Sequence, residues 1–224
     1  MLLAIDGGEK EILKEEASRF TENLCREYSG TDDGITVTVE KTGEGAAPAL
    51  HPVSLQKTVF FLMNLPNGVQ KMSGQIPGLV ETSLNLGILK LEPDHLHACA
   101  SVRSSVGSAK EALSDKLEYL IGFLGGEFHV EGAYPAWEYK EDSALRDLMV
   151  VEYEAMYGQK PAVEAIHAGL ECGLFLDKYP ALDMISFGPT LQGVHSPDER
   201  MLIPTVDKFW KHLLDILANV PVKK

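Results

Sequence analysis

The chain predicts an α+β sandwich of the ferredoxin-like type, single or duplicated, followed by a short α/β segment. Strand-like and helix-like patterns alternate twice up to residue 132, and the strand-like runs between them read as antiparallel hairpins. After Gly132-Ala-Tyr-Pro135-Ala-Trp137 the texture changes to helix and strand in alternation, punctuated by Gly and Pro. The expected division is therefore 1–132 and 133–224.

Leu2-Leu3-Ala4-Ile5 is an apolar, strand-like run ended by Asp6-Gly7-Gly8. From Glu9 to Tyr28, Ile12, Leu13, Ala17, Phe20, Leu24 and Cys25 recur at helical spacing, and Ser29-Gly30 closes the pattern. Ile35 to Glu40 alternates and is β-branched, which predicts a strand. A Gly/Ala/Pro loop over Thr42 to Leu50 leads into a helix from Pro52 to Leu65, whose run Val59 to Met63 suggests burial, with Asn67-Gly68 as breaker. Leu79 to Leu91 and His95 to Val102 read as adjacent strands joined at Glu92-Pro93-Asp94. Ser105 to Leu124 is an amphipathic helix and Glu127 to Glu131 a short strand.

In the second part, a helix over Ser143 to Met156 is capped by Ser143 and stopped by Gly158. A strand over Ala162 to Ile166, a short helix over Glu171 to Leu176 and a strand over Asp183 to Phe187 follow. A long loop reaches Pro204, and a helix over Thr205 to Ala218 closes the pattern. This is the half-unit of a parallel sheet, and two strands are too few for such a sheet, so the remaining strands must come from elsewhere.

The net charge of −13 and a pI near 4.9 exclude a nucleic-acid or anionic-membrane surface, which the acidic chain would repel. No apolar run approaches the roughly 18 residues of a membrane span, and the first residues do not resemble a signal peptide, so a cytosolic protein is expected. Cys25, Cys99 and Cys172 are widely spaced and lack any CxxC, which argues against a disulfide framework or a structural zinc site.

Chemistry concentrates in the last third. His195, in Gly193-Val-His-Ser-Pro-Asp-Glu199, stands in a loop after a strand, where a neutral imidazole suits Zn²⁺ and Asp198 or Glu199 could fix its tautomer. On residue chemistry alone, an exposed histidine on a capped turn is the simpler reading. His167-Ala-Gly169-Leu-Glu171 joins a strand to a helix whose first N–H groups could hold an anion, or be met by Glu171. Cys172 lacks a base at a defined spacing and fits a packing role better than a nucleophile. Arg103, among Ser101, Ser104 and Ser105, could clamp a carboxylate or be an edge-strand charge. His95, His97 and His129, and the pairs Glu15-Glu16 and Glu141-Asp142, read as surface groups.

Taken together, Val80-Glu-Thr-Ser-Leu-Asn-Leu-Gly87, Tyr134-Pro-Ala-Trp137, Ile166-His-Ala-Gly-Leu-Glu-Cys-Gly-Leu-Phe175, Phe187-Gly-Pro-Thr190 and His195-Ser-Pro-Asp-Glu199 resemble the aminoacyl-histidine dipeptidases. That group lies within the binuclear zinc aminopeptidases and carboxypeptidases that include the carnosinases. The likeness runs in order from about Phe60 to Val220. It implies a two-zinc catalytic domain, represented here by 133–224, and an inserted lid over 1–132 that forms a homodimer. By the same resemblance His195 is a zinc ligand, Arg103 binds the substrate's C-terminal carboxylate, and His167, Gly169 and Glu171 line the substrate pocket. The implied reaction is hydrolysis of an Xaa-His dipeptide by metal-activated water.

The departure is large. The family's His-x-Asp pair has no counterpart, and the sole Glu-Glu is Glu15-Glu16 on a charged helix face. One imidazole does not make a catalytic zinc site, which takes about three protein ligands. The expectation is a C-terminal fragment, with no catalytic residue of its own, that is inactive alone. Two other readings stand beside it. One is a non-catalytic lid-like domain that dimerises or binds a partner. The other is a ferredoxin-like small-molecule sensor ending near Tyr134.

Overall fold

A computed structural model describes residue 5, residues 7–45 and residues 48–221. The strand-like run Leu2 to Ala4, Asp6, and Ala46 and Ala47 of the 42–50 loop lie outside the described residues. The described chain divides into two compact units, one up to Val59 and one from Phe60 onward, so the expected division at 132/133 falls inside the second unit.

In the first unit a 3₁₀ turn, Gly7–Glu9, leads into α1 (Lys10–Glu27). Ala17 is its buried residue, and Thr21 and Cys25 continue the same side at four-residue steps. Thr21 Oγ1 accepts the Val37 N–H at 2.9 Å, and Cys25 Sγ donates to the Ile35 carbonyl at 3.3 Å. The strand expected over Ile35 to Glu40 is therefore held by helix side chains and joins no ladder among the described residues. Alternation shows that a segment can pair, but a ladder also needs a neighbour.

The boundary between the units falls within α2 (Pro52–Asn64). Burial of its apolar run is corrected in part: Phe61 is buried, whereas Met63 is 79% exposed and Val59, Phe60 and Leu62 are also exposed. A helix apolar all round needs neighbours on every side, and one face of this one is covered.

The second unit begins with an antiparallel sheet of three strands, β1 (Gly68–Met72), β2 (Val80–Leu91) and β3 (Leu96–Ser104), in that spatial order. The expected turn closes β2 onto β3, with the Glu92 N–H donating to the His95 carbonyl at 2.8 Å. β1 was not foreseen: Gly68-Val-Gln-Lys-Met72 is exposed throughout and carries no apolar alternation. α3 (Gly107–Leu124) covers one face of the sheet, where Leu84, 1% exposed, packs with Leu113 and Leu117. Gly125 ends the helix in the left-handed conformation, φ 78°. The strand expected over Glu127 to Glu131 joins no ladder among the described residues, although Phe128 packs on this core. The class is α+β with a small antiparallel sheet.

Beyond it come α4 (Ala144–Tyr157), α5 (Glu171–Lys178), a two-stranded ribbon of β4 (Leu191–Gln192) and β5 (Arg200–Met201), and α6 (Ile203–Asn219). α4 and α6 pack together, burying Met149 and, on α6, His212 and Ile216. Segments 162–166 and 183–187, both expected as strands, belong to no ladder among the described residues. Parallel strands are stable with neighbours and covering helices, and no neighbouring strand stands beside them among the described residues.

Asp183, the first residue of its segment, explains why α4 starts where it does. Its carboxylate accepts from Ser143 Oγ at 2.8 Å and from the Leu145 N–H at 3.0 Å, while Ser143 Oγ accepts the Arg146 N–H at 3.1 Å. Burial works to raise the Asp183 pKa, but the hydrogen bonds from Leu145 and Ser143 and the nearby Lys140 charge outweigh it and hold the carboxyl below its ordinary value. Asp183→Asn is expected to cost about 1–2 kcal/mol. The wild-type advantage should be present above about pH 4 and vanish as pH falls through the lowered native pKa, because only the ionised form is favoured. Thermal melts at pH 7 and pH 3 check this, and a variant deficit that persists undiminished at pH 3 would contradict it.

Candidate substrate-binding cleft

In the register of β2 and β3, Ser83 stands directly opposite Arg103. Directly opposed residues share a face, and this face is the one turned away from Leu84 and α3. The pair meets His167, which the chain brings back 64 residues after Arg103: Ser83 Oγ lies 2.6 Å from His167 Nε2, and Arg103 Nη1 donates to the His167 carbonyl at 3.4 Å. Burial first, and the Arg103 charge second, push the His167 pKa below its ordinary value, with a backbone hydrogen bond at Val80 opposing them. The imidazole is therefore neutral at pH 7, and Arg103, which is exposed, keeps its guanidinium open to an anion.

Two glycines position the loop that carries His167. A Cβ on Gly169 would fall on the ring of Tyr134, and one on Gly173 would stand 2.8 Å from the Pro135 carbonyl oxygen. The segments Tyr134-Pro-Ala-Trp137 and Ile166 to Phe175 are thus seated on each other where side chains are absent. The first segment is tied in turn to α3. Lys110 donates to the Tyr134 carbonyl and stands 5.3 Å from its ring centre, and Glu138 accepts the Gly107 N–H at 3.0 Å at the helix start.

Arg103, His167 and Gly169 line one cleft of about 740 Å³, bounded further by α4, α6 and segments 161–166 and 183–187. Glu171 is exposed in the first turn of α5 and does not line it. Cys172 is half-buried, and burial first, then the Glu171 charge, raise its thiol pKa, which fits the expected packing role.

His195 also lies off the cleft. The ribbon β4–β5 presents it on an exposed loop at φ 65°, the single non-glycine with positive φ among the described residues. The loop closes on itself: Glu199 Oε2 accepts the His195 N–H at 3.0 Å, and Ser196 Oγ donates to the Gly193 carbonyl at 2.7 Å. Glu199 thus grips the backbone of the loop. Gly193, φ 62°, is required because a Cβ there would meet the Asp198 carbonyl oxygen at 3.0 Å. Among the described residues no group of three or more His, Cys, Asp or Glu is placed to hold a metal ion. A complete zinc centre does not fit these residues, and His195 could contribute one ligand to it.

Sequence reading did not single out Ser83 or His212 for a role. Ser83 is found only through strand register. His212 is 6% exposed, edge-on to Tyr153 and Phe187 at 5.3 and 5.9 Å, with Nδ1 buried and unpartnered. Its spacing of four from Lys208 and Ile216 was the signal for the inner stripe of α6. Burial first lowers its pKa, the Lys208 charge adds to that, and Asp215 opposes both.

Both His167 and His212 resist protonation in the native state, so the unfolded chain binds more protons near and below pH 6.5. Stability is expected to fall as pH drops from about 7 through that window, and to level below the lowered native values. His212→Phe should remove part of the slope. Melts from pH 8 to pH 5 decide, and identical slopes in both proteins would refute the assignment to His212.

No family model matches the chain. A fold of this kind occurs in aminopeptidase PepT from Bacillus cereus, with a TM-score of 0.58 at 15% identity over 73% of this chain and 44% of that one. Much nearer is the crystal structure of aminoacylhistidine dipeptidase from Vibrio alginolyticus, with a TM-score of 0.88 at 35% identity over 98% of this chain and 45% of that one. The cytosol non-specific dipeptidase of Escherichia coli (strain K12) is 32% identical over 221 residues, which are 99% of this chain and 45% of that protein. The chain is a relative of the aminoacyl-histidine dipeptidases, as its motifs imply, and spans somewhat less than half the length of those it matches. No helix among the described residues is long and apolar enough to cross a membrane.

Proposed function

We propose that the chain supplies one wall of a cytosolic, homodimeric zinc dipeptidase acting on Xaa-His dipeptides. The observation that carries this reading is the meeting of Arg103 and His167 on one cleft, with Ser83 hydrogen-bonded to the imidazole, in a chain related along nearly its whole length to dipeptidases. In this reading residues 1–132 are a ferredoxin-like lid, single or duplicated, and 133–224 belong to the catalytic part. Arg103 receives the substrate carboxylate through charge-assisted hydrogen bonds. His167, neutral and oriented by Ser83, offers a hydrogen bond beside it, and Gly169 shapes the pocket, with Glu171 at the start of α5 reaching substrate from outside the residues that line it. His195 contributes a single metal ligand, with the other ligands and the general base supplied from outside the described residues.

Two measurements test this. Isotope-edited NMR of the 224-residue chain titrated with Gly-His should move the His167 and Arg103 side-chain resonances, and the C-terminal amide of the same dipeptide should not. Equal responses to both would sink the carboxylate role. The purified chain with added zinc should not hydrolyse Gly-His, and metal-dependent turnover would show that its site is complete after all.

A further inference from the structure

One strand holds the imidazole of His167 at two points, and one of them is a hydroxyl. Ser83 Oγ lies 2.6 Å from His167 Nε2. Three residues earlier on β2, the Val80 main chain hydrogen-bonds the same ring in a way that favours its protonated form, so there the ring donates. A neutral imidazole has a single N–H to give. With that proton directed at Val80, Nε2 turns its lone pair to Ser83, and the hydroxyl is the donor. A nucleophile, a base within hydrogen-bond reach of it and a third group that fixes the tautomer of the base are the parts of an activated serine.

The hydroxyl stands where a substrate can meet it. The cross-strand neighbours of Ser83 are Val69 on β1 and Arg103 on β3, and both are exposed. Along β3 the same face is open at His97, Cys99, Ser101 and Arg103. Ser83 itself is half-buried, beside the cleft that His167 and Arg103 line. Hydrolysis by metal-activated water needs no serine nucleophile, so the proposed dipeptidase reaction leaves the nucleophilicity of this pair unused.

We infer that Ser83 and His167 form a metal-independent acyl-transfer dyad, which accepts activated aryl esters whose acyl group carries a carboxylate. Ser83 Oγ bonds to the ester carbonyl carbon as its proton passes to His167 Nε2. The carbon–oxygen bond to the aryl group breaks, the phenolate departs with the electron pair, and the imidazolium releases its proton to solvent. In the second half His167 Nε2 takes a proton from water, and the water oxygen bonds to the acyl carbon. Ser83 Oγ then leaves and recovers the proton from His167. One ester and one water become one acid, one phenolate and one proton. The class is activated esters because a nitrophenolate leaves without being protonated, whereas the amine of a peptide does not. Arg103 receives the carboxylate of the acyl group. That choice of acyl group rests on the dipeptidase reading of Arg103, and the dyad does not.

The test follows nitrophenolate release by the 224-residue chain in EDTA, from the para-nitrophenyl half-ester of glutarate and from neutral para-nitrophenyl butyrate, and maps the acyl group by peptide mass spectrometry. A burst of about one nitrophenolate per chain is expected, with the acyl group on Ser83 and the half-ester at least about tenfold faster. Ser83→Ala and His167→Gln should each slow the burst at least about tenfold. Ser83→Cys, which keeps a nucleophile in place, should still form the adduct, and melts establish that each variant is folded. Acylation confined to lysines overturns the inference. So does a burst that Ser83→Ala leaves intact, or one that EDTA abolishes and zinc restores. Equal rates on the two esters with Ser83 acylated would support the dyad and count against the carboxylate role of Arg103 in the proposed function.

Discussion

Gly173→Ala is expected to destabilise the chain by about 3 kcal/mol, because the new methyl would stand 2.8 Å from the Pro135 carbonyl and 3.4 Å from that of Ala136. Those atoms are backbone and cannot swing aside, so α5 must move off the segment it rests on. For a chain of this length the melting temperature should drop by about 6–12 °C. Gly122→Ala is the control, since its Cβ meets nothing within 4 Å in an exposed turn of α3. That change should stabilise by up to about 1 kcal/mol through helix propensity alone. If both variants melt higher than the wild type, the close seating of α5 on Pro135 is refuted.

On the proposed function, in an assembly that supplies the remaining metal ligands, Arg103→Ala should lower kcat/KM for Gly-His by about 30- to 150-fold, equivalent to about 2–3 kcal/mol of charge-assisted hydrogen bonding. Arg103→Lys should recover only part of this, since an ammonium keeps the charge but not the planar fork. The dipeptide amide is the informative substrate: it lacks the carboxylate, so wild type and Arg103→Ala should handle it equally slowly. A variant that loses activity on both substrates to the same degree would show that Arg103 supports the fold of the cleft, through the His167 carbonyl, and does not bind substrate.

The helices could be read from sequence because their determinants are local. The start of α4 at Ser143, its stop at Gly158 and the stripe of α3 around Leu113 and Leu117 are each set by residues within a few positions. Strands depend on a distant partner. β2 and β3 were evident because a four-residue turn joins them, and β1 was missed because nothing within Gly68 to Met72 announces the edge it occupies. Ile35 to Glu40, Ala162 to Ile166 and Asp183 to Phe187 have the composition of strands without a ladder among the described residues. The site divides in the same way. Motifs named Arg103, His167 and Gly169, but the pairing of Ser83 with Arg103 is a property of register, and the orphaned Nδ1 of His212 is a property of packing. Neither is written in any short stretch of residues.

The left-handed backbone at His195 gives this position a conflict of interests. A residue with a Cβ held at φ 65° costs about 1–2 kcal/mol that glycine would avoid, and asparagine tolerates the conformation better. Selection for stability alone would therefore drift this position toward glycine or asparagine, at the expense of its one imidazole. On the proposed function, the strain held at His195 is the cost of keeping a metal ligand at the tip of the ribbon.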